Sequence, residues 1–346
     1  MNETRLKEPG ISVVICTFNG RERIEFALKS IIEQKNTSNI PWELVIIDNA
    51  STDGTANFCA EFLNRELFSQ PFRLIKEPLL GCNNARNRGI RECCYQWMLC
   101  CDDDNKLSEN YLALAWPILN SQKKLGALGG QGIPVFEGEK PDWFDSYSLS
   151  FATGPQARKD GLIPFGANNI LHTAGSFFNS DFLQKIFNSG FNTIMAGRKG
   201  REITGGEDVE WCILLRLYQY ELFYSGELQF GHFMPSSRMT WSYLKKLKGG
   251  TTSGAPLFLS YQLFFEKPGP TVISFAIRYA KQLLLNLLIR FKWEMKNILS
   301  SPSVVNQTNE LFLVVTRSKS RSYIKNFLES LRHFKRIRIL LAKNLN

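Results

Sequence analysis

Three consecutive aspartates, Asp102 to Asp104, follow the apolar segment 95–101 and are the residues of this 346-residue chain best suited to chemistry. Adjacent carboxylates repel one another by roughly 1 kcal/mol or more per close pair unless a cation offsets their charge. Mg²⁺ and similar hard ions bind carboxylates together with phosphate oxygens. The cluster therefore predicts a site for a divalent ion and a diphosphate, and a solvated acidic turn is the ordinary alternative.

The elements around this cluster must bring it close to other side chains if it is to act as a site. Over the first part of the chain, apolar segments alternate with amphipathic helical patterns, an order typical of a parallel sheet covered on both faces. Strands are predicted at 11–16, 42–47, 72–75, 95–101 and 126–133, and helices at 21–34, 54–68, 82–94 and 108–120. Ligands bind at the carboxyl ends of such strands, so the residues that follow them should converge. These residues are Thr17, Phe18, Asn19, Asp48, Asn49 and Asp102 to Asn105.

The second half of the chain is less periodic. Residues 134–169 are rich in Gly, Pro and aromatic residues, which indicates a long loop over the site. A helix at 180–187, a helix from Gly205 to Tyr218 and strands at 222–224 and 228–230 are predicted. A domain boundary is expected near 267–270. The predicted parts are a catalytic domain at 1–267, with a nucleotide-binding half at 10–135 and an acceptor-binding half at 136–267, and a basic helical region at 268–346.

Charge is unevenly distributed along the chain. The net charge is +10, yet residues 276–346 contain 14 Lys and Arg against three Glu, so the rest is nearly neutral. Within this tail, apolar residues recur at helical spacing, at Ile273, Ile277, Ala280, Leu284, Leu288 and Phe291. The pattern predicts an amphipathic helix on an anionic membrane surface. A helix packed on the catalytic domain is the open alternative.

Composition also predicts the compartment. The residues before Ile11 lack the apolar stretch of a signal peptide. Eight cysteines without paired CxxC motifs argue against a zinc site and fit a reducing compartment. Arg278, Lys281 and Asn286 interrupt the apolar stretch 272–291, so we do not expect it to span a bilayer. These features predict a cytoplasmic protein peripherally associated with the inner face of the cell membrane.

Five segments resemble, in the same order, the motifs of family 2 inverting glycosyltransferases, which have a GT-A fold. They are ISVVICTFNG (11–20), ELVIIDNASTDGT (43–55), GCNNARNRGI (81–90), WMLCCDDDN (97–105) and GGEDVEW (205–211). Each motif is short, but five in one order are specific. The resemblance covers about residues 10–250 and implies an α/β fold with a mostly parallel central sheet and helices on both faces.

The resemblance implies a donor site built from the first four motifs. Phe18 occupies the place of a Tyr that packs on the nucleotide base, and its ring can do the same. Asn49 replaces the second of two Asp, which leaves the identity of the base open. Asp104 matches the metal ligand, with Mg²⁺ or Mn²⁺ as the implied ion. The other implied donor contacts are Thr17, Asn19, Asp48, Arg86, Asn87, Asp102 and Asp103.

The fifth motif and the segment after it are similar to the acceptor and diphosphate side of the family. Asp208 matches the base that takes a proton from the acceptor hydroxyl, and the alternative is a helix N-terminus that favours acids. Glu207 and Glu210 are expected to place the acceptor. His232 matches a metal-binding residue, with a structural histidine as the alternative. Arg238 and Trp241 are expected to close over the diphosphate as a lid.

Together these features predict an inverting glycosyltransferase. It would move a sugar from a nucleotide-diphosphate donor to a hydroxyl of a glycan or lipid-linked acceptor, in surface polysaccharide biosynthesis. A nucleotidyltransferase is an alternative, although Cys16 to Gly20 lacks the Gly-rich basic loop expected after its first strand. A nucleic-acid-binding protein that acts through the tail is a second alternative, and we expect no nucleic-acid partner.

Overall fold

The computed structural model describes residues 7–121, 123–193, 206–266, 268–299 and 307–343, with the backbone alone at positions 207, 208 and 299. A nine-stranded sheet lies at its centre. The strands are β1 (Glu8–Thr17), β2 (Trp42–Asp48), β3 (Phe72–Lys76), β4 (Tyr95–Asp102), β5 (Asn105–Leu107), β6 (Leu125–Phe136), β7 (Gly161–Leu162), β8 (Ser176–Asn179) and β9 (Glu221–Met234).

The sheet has a parallel part and a mixed part. Its strand order is β3-β2-β1-β4-β8-β6-β9-β5, and β7 also pairs with β9. Strands β3, β2, β1 and β4 are parallel, which confirms the prediction for this part. By contrast, β8 is antiparallel to β4 and β6, and β5 is antiparallel to β9. The chain reverses between β4 and β5 in a two-residue turn, which is too short for the crossover that parallel strands need.

Helices cover both faces of the sheet. They are α1 (Ile24–Ile32), α2 (Thr55–Arg65), α3 (Cys82–Glu92), α4 (Tyr111–Ser121), α5 (Ser180–Asn188), α6 (Glu207–Leu217), α7 (Trp241–Thr252), α8 (Ala255–Glu266), α9 (Val272–Leu299), α10 (Gln307–Lys325) and α11 (Phe327–Leu341). Side chains of β1 alternate between two cores, with Val13 and Ile15 in one and Val14 in the other. All seven residues of β2 are buried, as expected for a strand covered on both faces.

Two predicted elements differ from the structure. Strand β9 is continuous through the two strands predicted at 222–224 and 228–230, and it pairs with β6 along most of its length. The predicted loop at 134–169 contains the 3-10 helix Phe144–Phe151 and the short strand β7. Local periodicity missed the continuity of β9 because Ser225 to Glu227 have low strand propensity. They lie at a β-bulge, where the register with β6 jumps from Gly129 opposite Tyr224 to Gln131 opposite Gln229.

The C-terminal region consists of three helices that pack on the body. Ile337 and Leu340 of α11 belong to the core that also contains Trp211 of α6. By length and composition alone, helix α9 is long and apolar enough to cross a membrane. That its charged interruptions keep it from spanning a bilayer stays a prediction. Its Phe275 and Tyr279 are nevertheless buried against α10 and α11. Packing on the catalytic domain, one of the two alternatives, therefore holds for one face of this region.

Candidate active site

A cavity of about 540 Å³ opens at the carboxyl ends of β1 and β4, where the sequence predicted a site. Asp102 ends β4, and Asp103 and Asp104 form the turn into β5. All three aspartates line the cavity, and the 3-10 helix and α7 contribute Phe151 and Leu247. The strand topology thus brings together side chains that are far apart in the sequence.

Asp103 is held from the opposite side of the turn by the segment after β1. Thr17 donates a hydrogen bond of 2.7 Å to Oδ2, and Arg23 binds both carboxylate oxygens at 2.7 and 2.8 Å. A Cβ at Gly20 would lie 2.7 Å from Oδ2 and 2.1 Å from the Thr17 hydroxyl, so only glycine leaves room for this contact. Burial raises the pKa of Asp103 to about 6 in spite of the Arg23 guanidinium. Arg23 keeps this buried carboxylate paired.

Asp104 is held by a guanidinium and an imidazole, both from the second half of the chain. Arg238 approaches Oδ2 at 3.0 Å, and His232 Nε2 lies 3.4 Å from Oδ1. His232 reaches this position because β9 pairs with β5 in a register that sets it opposite Asn105. Burial alone would raise the pKa of Asp104, but His232 and Arg238 together lower it below its ordinary value. Asp104 is thus the carboxylate kept ionised at the cavity floor.

Asp102 pairs with the basic segment predicted from the third motif. Arg86 of α3 is buried, and its guanidinium lies 2.9 Å from Asp102 Oδ1. Both residues line the cavity. Asn87, the next residue on α3, donates instead to the Thr193 hydroxyl at 3.2 Å. Adjacent helix positions face in directions about 100° apart, and Arg86 lines the cavity whereas Asn87 does not. The expected donor contact from Asn87 stays a prediction.

The residues around Asp104 fit a divalent ion that a diphosphate helps to hold. Among the described residues, no group of three His, Cys, Asp or Glu side chains converges. Mg²⁺ usually takes only one or two carboxylates and completes its coordination with phosphate oxygens and water. His232 Nδ1 is buried and has no hydrogen-bond partner among the described residues. An Asp104 carboxylate with a neighbouring imidazole is consistent with such a site, although it is not a complete protein cage.

The segments that follow β1 and β2 divide into cavity-lining and scaffolding residues. Thr17 and Phe18 line the cavity, and the Phe18 ring is 37% exposed. Asn19 accepts from the backbone N–H of Thr52 at 2.8 Å and ties the two segments together. Asp48 accepts from the backbone N–H of Ser51 at 3.1 Å. Asn19 and Asp48 therefore shape the two turns, and their expected contact with a donor stays a prediction.

Asn49 is buried, and its amide closes the loop after β3. Its Nδ2 donates to the carbonyls of Glu77 and Leu79 at 3.1 and 2.7 Å, and its Oδ1 accepts from the Gly81 N–H at 2.8 Å. An aspartate could not donate to the two carbonyls. Both amide donors serve the loop. Asn49 also lines the cavity, and its expected contact with the donor stays a prediction.

The expected lid residues separate in the structure. Arg238 lies in a 3-10 helix, lines the cavity and pairs with Asp104. Trp241 begins α7, donates to the Glu310 carboxylate of α10 at 3.1 Å, and packs against Trp143 at a ring distance of 5.9 Å. Trp241 thus anchors α7 to the C-terminal helices, which corrects its assignment to a flexible lid.

The fifth motif begins α6 at the edge of the cavity. Gly206, with φ of 120°, precedes the helix, and Gly206 and Val209 line the cavity. The side chains of Glu207 and Asp208 lie outside the described residues, so their predicted roles stay predictions. Glu210 is fully buried and accepts a hydrogen bond from the Tyr261 hydroxyl of α8. It does not reach an acceptor, and its expected acceptor contact is corrected.

Sequence reasoning missed Arg23, which donates two hydrogen bonds to Asp103. The residue lies at the start of α1, where a basic side chain carries no motif signal and the helical pattern predicts a solvated position. Gly20, just before Arg23 in the chain, was the available clue, because a glycine there leaves room for the Asp103 carboxylate.

Comparison with known proteins identifies a family model and relatives that this chain resembles. Residues 12–187 match the family model described as glycosyl transferase family 2. The chain is 27% identical over 122 residues to a poly-beta-1,6-N-acetyl-D-glucosamine synthase of Staphylococcus epidermidis, a match that covers 35% of this chain and 28% of that protein. It is also 27% identical over 138 residues to a putative teichuronic acid biosynthesis glycosyltransferase of Bacillus subtilis, covering 40% of this chain and 52% of that protein. The chain thus matches about half or less of these relatives' lengths.

Solved structures show the same fold. A mannosyltransferase of Pyrobaculum calidifontis in complex with GDP-Man and Mn2+ is 14% identical, with a TM-score of 0.56 over 93% of this chain and 88% of that chain. Residues 1–349 of TarS of S. aureus in complex with UDP-GlcNAc are 13% identical, with a TM-score of 0.50 over 93% and 91% of the two chains. At such identities the likeness establishes a shared GT-A fold.

Proposed function

The chain belongs to glycosyl transferase family 2, and from this premise we propose that it transfers a sugar with inversion from a nucleotide-diphosphate donor to a hydroxyl acceptor. The observation that carries the proposal is the convergence of Asp104, His232 and Arg238 at the cavity floor. A carboxylate, an imidazole and a guanidinium at one point suit a metal-bound diphosphate. Membership in the family favours this activity over the nucleotidyltransferase alternative.

The donor would lie along the carboxyl edge of the parallel strands. The exposed face of Phe18 offers a surface on which a base can stack. Asp102 and Asp103, oriented by Arg86 and Arg23, offer carboxylate oxygens to ribose hydroxyls. Asp104 and His232 would hold Mg²⁺ or Mn²⁺, which supplies positive charge to the diphosphate when bound. Arg238 would move its guanidinium from Asp104 to the same phosphates.

The transfer step would be a single displacement. The acceptor oxygen forms a bond to the anomeric carbon while the bond from that carbon to the phosphate oxygen breaks, and the electron pair leaves with the diphosphate. Asp208 would take the proton of the acceptor hydroxyl. Because attack and departure occur on opposite faces, the anomeric configuration inverts. The similarity to envelope glycosyltransferases leads us to propose a glycan or lipid-linked acceptor in surface polysaccharide biosynthesis.

A panel of nucleotide sugars, including UDP-GlcNAc and GDP-mannose, tests this function with Mn²⁺ present and absent. Release of the nucleoside diphosphate identifies the donor, and the anomer of the product is read by NMR. We expect Asp208→Asn to lower transfer by about 10²- to 10⁴-fold with donor binding retained. Asp145→Asn, an exposed carboxylate, is the control. If no nucleotide sugar binds with a divalent ion, the proposed function is wrong.

We also propose that α9 places the enzyme on the cytoplasmic face of an anionic membrane. Its inward residue Phe275 is buried, while Ile277 and Phe291 on the opposite face are 65% and 62% exposed. The apolar stripe of the helix therefore points away from the protein. Lys281 and Lys292 flank this stripe and are exposed, which suits anionic headgroups. The division into a catalytic domain at 1–267 and a helical region at 268–346 stays a prediction, since Ile337 and Leu340 of α11 share a core with Trp211 of α6 and residue 267 itself lies outside the described residues.

Sedimentation with phosphatidylcholine vesicles, with and without phosphatidylglycerol, tests the membrane proposal. We expect binding to the anionic vesicles only, and its loss in the double variant Ile277→Glu/Phe291→Glu. Leu67→Glu is the matched control, because Leu67 is 85% exposed on the body of the protein. Equal binding by both variants would refute the proposal. Steeply salt-dependent binding of DNA by the wild type would favour the nucleic-acid alternative instead.

A further inference from the structure

A buried polar cluster joins the catalytic helix α6 to the C-terminal helices. It consists of Glu210 of α6, Tyr261 of α8 and His333 of α11, all at most 1% exposed. Tyr261 donates its hydroxyl hydrogen to Glu210 Oε1, and His333 Nε2 lies 3.7 Å from the same oxygen. The Tyr261 and His333 rings pack edge to face at 4.8 Å. Three elements that are distant in the sequence therefore meet at one carboxylate.

The position of this cluster relates it to the active site. Glu210 lies in the first turn of α6, and its backbone N–H bonds the Gly206 carbonyl at 2.9 Å. Gly206 and Val209, on either side of position 208, both line the cavity. Positions 208 and 210 are about 200° apart around an α-helix, so anchoring one face sets the direction of the other. A rotation of the first turn would displace position 208.

The same helices are fixed to one another by further buried contacts. The Ser260 hydroxyl of α8 donates to the Ser330 carbonyl at 3.0 Å, and the Tyr218 hydroxyl donates to the Leu340 carbonyl of α11 at 2.9 Å. Phe334 of α11 stacks on Phe264 of α8 at 5.2 Å. The partners of Glu210 thus belong to a rigid support rather than to mobile side chains. Buried hydrogen-bonded groups of this kind specify one arrangement of the elements that they join.

We propose that Glu210 is a positioning residue, which locks the first turn of α6 to α8 through the Tyr261 hydroxyl, while the His333 ring of α11 packs on Tyr261, and so fixes the reacting position of Asp208. This inference rests on the proposed function, because it assigns the base to position 208. It gives the C-terminal helical region a role in catalysis that is separate from membrane docking. Glu210 itself does not touch the donor or the acceptor.

Steady-state kinetics of nucleoside diphosphate release test the proposal, with the nucleotide sugar that the wild type uses. Tyr261→Phe removes only the hydroxyl. We expect kcat to fall by about 10- to 100-fold, because a misplacement of about 1 Å can cost 10²-fold, while the donor KM stays unchanged. Glu210→Gln keeps an oxygen acceptor for Tyr261 and should retain most of kcat, whereas Glu210→Ala should match Tyr261→Phe.

Tyr279→Phe is the matched control, because Tyr279 is a buried tyrosine of α9 whose hydroxyl donates to the Tyr323 carbonyl at 2.7 Å, away from α6. Both tyrosine variants should lower the melting temperature to a similar extent, and only Tyr261→Phe should lower kcat. Equal kcat values in the two variants would overturn the proposal. If Asp208→Asn transfers sugar normally, the proposed function fails instead, and the two failures are thereby distinguished.

Discussion

The protein buries carboxylates in two regions that treat them in different ways. At the cavity floor, Asp103 and Asp104 face guanidinium and imidazole groups across a surface that a ligand can reach. In the core beneath α6, Glu210 is sealed among Tyr261 and His333. A charged partner at a cavity can be exchanged for a metal ion or a phosphate, whereas a sealed hydrogen bond cannot be exchanged. The first region therefore suits binding, and the second suits positioning.

Among the tests of this difference between the two regions, the largest effect is expected at Asp104. Asp104→Asn keeps the shape of the side chain but removes its charge. We expect the Mn²⁺-dependent affinity for UDP or GDP to fall by about 100-fold or more, since the residues that merely support metal ligands contribute about 10- to 100-fold. Isothermal titration measures this affinity. Glu210→Gln should bind like the wild type, and the comparison fails if both variants bind equally well.

Asn49 lies at the cavity, but its side chain is hydrogen-bonded like that of a core residue. Its substitution therefore shows whether the location of a residue or its hydrogen bonding decides what the residue does. Asn49→Asp removes two amide donors to the carbonyls of Glu77 and Leu79. The free energy of unfolding should fall by about 2 kcal/mol, at roughly 1 kcal/mol per lost bond, as measured by urea denaturation. Asn169→Asp removes an exposed bond of the same kind to the Pro164 carbonyl and should change stability much less. An equal loss in the two variants would contradict the scaffolding role of Asn49.

The effect that is smallest near neutral pH, and that grows only below about pH 6.5, concerns the pH dependence of the sealed region. Burial, together with Arg336, lowers the pKa of His333 to about 3, below its value of about 6.5 in the unfolded chain. Between these values the unfolded chain binds the extra proton, so stability is complete above about pH 6.5 and falls by about 1.4 kcal/mol per pH unit below it.

Unfolding of the wild type and of His333→Phe at several pH values isolates this contribution, because all other titrating groups are shared. The difference in stability should be constant above about pH 6.5 and change steadily below it. A difference that does not vary with pH would show that His333 is not held neutral in the core.

Several features of the site followed from the sequence alone. An apolar strand that ends in consecutive aspartates is a local pattern, and the parallel topology of β1 to β4 requires that the ends of such strands converge. The position of Thr17, Phe18 and Asp104 at one cavity was therefore predictable. So was the amphipathic character of α9, since helical periodicity needs no partner to be recognised.

Tertiary packing decided the partners and directions of these side chains. Arg23 reaches Asp103 only because Gly20 lets the chain pass close to it, and Glu210 is buried because α8 and α11 cover that face of α6. Helical periodicity also cannot say which face of α9 points inward, and the buried ring of Phe275 decides this. Sequence patterns record local spacing, whereas burial depends on segments far apart in the chain that pack on the same face.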